Sequence, residues 1–301
     1  MSKIHIGIPE LEDRGLSYEE FFRIMHVMLR YKTFYLKELY PSNNIGDINA
    51  YPLLIVEKII KVTKTLHSVI NRDKDYVVAN IIVRSLADYV SSFSCIYTDT
   101  DQSVKTLRHY LFVMDGLKGR IKNLPQDMKY DGRIKEEEFY LLKKQIDDAL
   151  KNYRGACDFA LKQIQQLQLY QENSFIIDEY IKTANWRFKD FKRKTKSYTW
   201  KELYGYIKLP INTAFFSSLS EFVHGLSSSN LTFGEDYENF EPLLSIATSL
   251  LGKVSEMLDT IYREDVSFIQ PKMIEALYDE DIPKQYIQYL LKSVSKESTI
   301  D

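Results

Sequence analysis

Wound as an α-helix, residues 76–97 (YVVANIIVRSLADYVSSFSCIY) are apolar almost all the way round, so the helix belongs inside a protein. Yet Asn80, Arg84, Asp88, Ser91, Ser92 and Cys95 recur along it at steps of three and four and form one polar stripe. Arg84 and Asp88, four residues apart, can pair along the helix. A buried ion pair is seldom a net stabiliser, so its presence reads either as a structural pair between packed helices or as part of a site.

The rest of the chain is patterned for helices. Ser17-Tyr-Glu-Glu20 is a capping box that opens a helix to about Tyr40, where Pro41 stops it. Pro52 suits the first turn of a second helix, reaching about Asn71. After the buried helix, Asp101 caps a fourth that weakens at Gly116 and Gly119 and is over by Pro125. A near-heptad apolar seam then predicts one long helix from Ile134 to Tyr170, spanning about 50 Å at 1.5 Å per residue. Thr199-Trp-Lys-Glu202 is a second capping box, and Pro210 opens a helix ending near Gly225. A polar loop over 226–238 precedes helices at 240–264, 267–279 and 283–297, while residues 1–16 read as an irregular arm. Alternating apolar and polar residues persist nowhere between turn signals, so no sheet is assigned. The expected fold is an all-α multi-helix bundle in one domain, 1–301, with a long central helix and C-terminal helices.

Composition bounds what the bundle can do. With 45% apolar and 13% aromatic residues among 301, the chain can fill a large core. A formal charge of −2 excludes a wholly basic surface, leaving only a local patch for nucleic acid. Two cysteines, Cys95 and Cys157, fit free thiols in a reducing compartment. The five histidines (5, 26, 67, 109 and 224) have no ligand spacing, and Gly-rich phosphate loops, His-Glu-x-x-His and Cys-x-x-Cys are missing, so neither metal nor cofactor is expected. The opening residues lack the apolar core of a signal peptide, and charges interrupt every long apolar run, so the expectation is a cytoplasmic protein with no membrane partner.

Two further constellations stand out. Ser217, Ser220, Glu221 and His224 share one helix face, with Phe215, Leu219, Phe222 and Val223 on the other. Serine and histidine on one face suggest a nucleophile and base, or else a satisfied histidine at a helix end; no Gly-x-Ser-x-Gly elbow supports the former. The stretch WRFKDFKRKTKSYTWK, 186–201, interleaves Arg187, Lys189, Lys192, Arg193, Lys194 and Lys196 with Phe188, Phe191, Tyr198 and Trp200. That mixture suits phosphate neutralisation with base stacking, or a solvated helix end whose rings turn inward.

Together, Arg84-Ser-Leu-Ala-Asp88 and Leu219-Ser-Glu-Phe-Val-His224-Gly225 resemble bacterial all-helical proteins that pair an Arg-x-x-x-acid helix with a Ser-x-x-x-His segment, a group distantly similar to the HEPN superfamily. The resemblance covers roughly residues 50–225. It implies a helical domain of a kind found in toxins, phage defence and RNA cleavage, with Arg84, Asp88, Ser220 and His224 as functional positions. HEPN ribonucleases carry an Arg followed, after four to six residues, by a His on the same helix. No arginine here has that partner, so their reaction is not carried over. The reading is a binding or regulatory module in which Arg84, Asp88, Ser220 and His224 form one interior cluster. Beside it stand a nuclease or hydrolase using His224 as general base, and a structural partner protein, such as a homo-oligomer docking through the 134–170 helix.

Overall fold

The computed structural model describes residues 17–192, 196–209, 213–224, 239–280, 282 and 287. The described residues form helices throughout and no strand; one isolated antiparallel bridge joins Phe188 and Ser197. The all-α expectation holds. The arm at 1–16, the loop at 226–238 and the helix at 283–297 lie outside the described residues.

Where one domain was expected, the chain divides into two compact units, one from Met1–Thr98 with Thr199–Asp301, the other from Asp99–Tyr198. In the first unit α1 runs Tyr18–Leu39, α2 Tyr51–Ser68 and α3 Tyr76–Tyr97. In the second lie α4 (Gln102–Asn123), α5 (Glu136–Gln165) and α6 (Gln168–Thr183). The first unit resumes with α7 (Trp200–Tyr206), α8 (Thr213–His224), α9 (Glu241–Ile261) and α10 (Arg263–Tyr278).

Capping explains the starts. Ser17 and Thr199 each form a complete box with the glutamate three residues on, and the Asp101 carboxylate accepts from the amides of Ser103 and Val104. Helix α2 continues into one π-turn, Val69–Asp73, and Lys74 then takes a left-handed conformation (φ 52°) that ends it. Asp75 caps α3 through the Val78 amide at 2.9 Å.

The centre of the first unit is α3, not the 134–170 stretch. It packs against α2, α7, α8 and α9. Val83, Leu86, Ala87, Val90, Phe93 and Ile96 are sealed from water, and full burial stabilises by about 1.5–3 kcal/mol for each large side chain. Helix α1 lies against α2, α9 and α10.

The second unit corrects the long-helix expectation. Leu167 adopts extended backbone (ψ 137°), which splits the predicted 35-residue helix into α5 and α6. Both pieces then pack on α4. Helix α5 buries only Phe139, Leu150, Ala160 and Ile164, too little to be a central element.

Candidate functional site

Arg84 and Asp88 point from α3 toward α7 and α8. Their side chains form an ion pair one turn apart, Arg84 Nη1 with Asp88 Oδ1. Arg84 Nε also donates to Ser220 Oγ at 2.7 Å, across 136 residues of sequence. The Tyr204 hydroxyl donates to Asp88 Oδ1 at 2.8 Å, and the Arg84 guanidinium lies 5.0 Å from the Tyr204 ring centre. Four side chains from three helices thus form one cluster. Arg84 is 13% exposed and Asp88 34%, so the pair sits at the edge of the core.

Local folding places each member. The Thr199–Glu202 capping box fixes the start of α7, and Leu203 and Tyr204 become its buried face. The Tyr204 ring rests on Phe216 of α8, centroids 5.0 Å apart. Phe216 and Leu219 are the buried residues of α8, and Ser220, one turn after Phe216, is carried inward with them. The apolar face is therefore rotated from the expected Phe215-Leu219-Phe222-Val223 set. Ser217 and His224, which shared a face with Ser220 on paper, are exposed.

The expectation that His224 joins the cluster is not met. Among the described residues His224 has no hydrogen bond or ion pair with Arg84, Asp88 or Ser220. Tyr204 instead shares Asp88 Oδ1 with Arg84. The signal for it in the sequence is the capping box, which sets α7 in register and turns Tyr204 to the buried face.

This arrangement does not generate a nucleophile. The Ser220 hydroxyl accepts from Arg84 and directs its own proton to Phe216 O at 3.4 Å, so no base draws on it. Burial, and then the hydrogen bond to Asp88, push the Tyr204 phenol well above its ordinary value and keep it protonated. The groups satisfy one another, as a clamp between helices does.

The basic stretch has a different character. Trp186 and Phe188 are buried, 6% and 1% exposed. Trp186 Nε1 donates to Asp115 at 3.2 Å while its ring meets Phe112 edge-on at 5.4 Å. Phe188 lies between Tyr180, stacked at 4.9 Å, and the Arg108 guanidinium, 4.9 Å from its centre. Arg108 also pairs with Asp99 at 2.8 Å and donates to Phe188 O at 3.3 Å. Arg187 lies over Trp186 and Lys189 over Tyr198. Lys192 and Lys196 are exposed, and Arg193 and Lys194 lie outside the described residues. The inner rings are committed to the unit's own packing, which disfavours a base-stacking platform. Arg108, the buried cation that organises them, has no local signature in the sequence, because its partners are a carboxylate nine residues away and a backbone carbonyl eighty away.

No group of three His, Cys, Asp or Glu side chains among the described residues could hold a metal ion. Cys95 is buried and Cys157 half-buried, both as free thiols. Among the described residues no helix is long and apolar enough to cross a membrane. Comparison with protein-family models, curated proteins and solved structures found no match to this chain.

Proposed function

We propose that the chain is a helical binding or regulatory module, in which the Arg84–Asp88–Tyr204–Ser220 cluster is a positioning clamp. One observation carries this reading. Arg84 spends Nε and Nη1 on Ser220 and Asp88, while Asp88 is shared with Tyr204, so the polar groups of α3 are matched to α7 and α8. A site built for chemistry needs a base or nucleophile poised toward a substrate, and here the serine faces a guanidinium. The likeness to HEPN-type domains, and with it a role in defence, rests on the Arg84–Asp88 helix and the Ser220–His224 segment alone.

The discriminating experiment follows degradation of mixed RNA and of an ester substrate by wild type, His224→Ala and Arg84→Ala. The clamp reading expects no turnover above buffer in any of them, with thermal stability lowered in Arg84→Ala and unchanged in His224→Ala. Turnover by wild type that His224→Ala abolishes would replace this reading with the nuclease or hydrolase.

A further inference from the structure

A groove of about 510 Å³ runs along the seam of α1 and α2, walled by Arg30, Phe34 and Lys37 on one side and Glu57, Ile60 and Lys61 on the other. Its volume falls within the range of sites that take a ligand's apolar body. Phe34 is 56% exposed there, a large ring in water in the middle of a helix.

The charge around the groove is mostly positive, although Glu38 and Glu57 also line it. Lys58, Lys61 and Lys64 recur along α2 at steps of three, all exposed, and none forms an ion pair among the described residues. On α1, Lys37 crosses the groove to Glu57 at 2.7 Å and Arg30 is held by Glu280. Glu57 and Glu280 are therefore neutralised, and against Glu38, the remaining acid of the lining, the three lysines of α2 leave positive charge in excess. His26, on the same seam, feels this field: after burial, Arg30 is the largest cause and Lys64 a further one in lowering its pKa to about 4.

From this geometry we infer that the α1–α2 groove is a docking site for an acidic amphipathic helix of a partner protein. An apolar side chain would enter between Phe34 and Ile60, and carboxylates on the flanking turns would meet Lys61 and Lys64. Helix-in-groove recognition needs an apolar slot at helix spacing, and complementary charge sets orientation and on-rate. A nucleic acid would need rings free to stack or a broader basic surface. An anionic membrane would need a wide apolar face, whereas Phe34 and Ile60 stand here among charged side chains of both signs.

The inference rests on reading the chain as a binding module and names the surface that binds. Its test uses the full chain and a fluorescent synthetic helix of about 16 residues, with leucines at i, i+3, i+4 and i+7 and glutamates elsewhere. A scrambled peptide of the same composition, single-stranded RNA, and vesicles of phosphatidylcholine with about one third phosphatidylserine serve as the other probes. The ordered acidic peptide should bind at least about tenfold more tightly than the scrambled one. Phe34→Ala and Lys61→Glu/Lys64→Glu should each weaken it about tenfold or more, with circular dichroism unchanged because all three residues are at the surface. Binding should also fall as salt rises from about 50 to 300 mM. Equal binding of ordered and scrambled peptides, or indifference to both variants, would overturn the inference. So would a preference for RNA or vesicles that the lysine variant removes. Enzymatic turnover would count against the module reading instead, and the peptide measurements do not depend on that outcome.

Discussion

Lys32 Nζ lies 2.6 Å from Asp259 Oδ1, an ion pair between α1 and α9 in which the lysine side chain is 5% exposed and the aspartate 47%. Ser255 Oγ accepts a second hydrogen bond from Nζ at 2.7 Å. The two members are therefore unequal. Asp259→Asn leaves a buried ammonium without its counter-charge and should destabilise the protein by roughly 1–3 kcal/mol. Lys32→Met combined with Asp259→Asn should recover most of that loss. Urea unfolding of the single and double variants checks both. If Asp259→Asn alone costs nothing, the lysine is not held as described.

The clamp predicts a coupling. Arg84→Ala and Ser220→Ala should each destabilise, and their double variant should cost less than the sum by about 0.5–2 kcal/mol. Arg84→Lys should behave much like Arg84→Ala, because an ammonium cannot reach Ser220, pair with Asp88 and lie over Tyr204 together. Additive single effects in a thermal-unfolding cycle would contradict the clamp.

Acid should act through His26. The Thr63 hydroxyl gives its proton to the backbone of the preceding turn at 3.0 Å, so it accepts from His26 Nδ1 at 2.9 Å, which places a proton on that nitrogen. Phe22 and His67 flank this seam, with Arg30 and Lys64 supplying positive charge. Burial, aided by those charges, lowers the pKa from about 6.5 to about 4. The unfolded chain takes up the proton first as pH falls, so this stabilisation is complete above pH 6.5 and is lost between 6.5 and 4. The loss is roughly 2–3 kcal/mol. His26→Gln should flatten the stability profile across that window; a profile of unchanged slope would assign acid sensitivity elsewhere.

In the second unit, Phe188→Ala removes the ring between Tyr180 and Arg108 and should cost about 3–5 kcal/mol. Lys192→Ala, at an exposed position, should change stability by less than about 0.5 kcal/mol. Near-equal effects in denaturant titrations would mean that Phe188 is not the ring the unit is built on.

Helix type and most starts were legible because they are local. A capping box at Ser17 or Thr199 and an aspartate at 101 act within four residues. The break at Leu167 was not legible, since neither glycine nor proline marks it, and only packing of α5 and α6 on α4 accounts for it. The cluster was half legible. The Arg84–Asp88 pair follows from spacing along one helix. Which residues of α8 face it depends on a rotation of that helix set by Phe216 against Tyr204. That rotation brought Ser220 in and left His224 out. The division into two units is not legible in the sequence, because no Gly/Ser linker marks either junction.

The position of α3 has a consequence in time. Helix α2 precedes it in the chain, but α7, α8 and α9 follow only after the whole of Asp99–Tyr198 has been made. At about 5–20 residues per second, the faces of α3 that take those helices wait on the order of ten seconds for their partners during synthesis. An apolar helix carrying Arg84 and Asp88 is easier to keep in water during that interval than one without charges. The pair that meets Tyr204 and Ser220 in the folded chain is thus also what makes that waiting face less apolar.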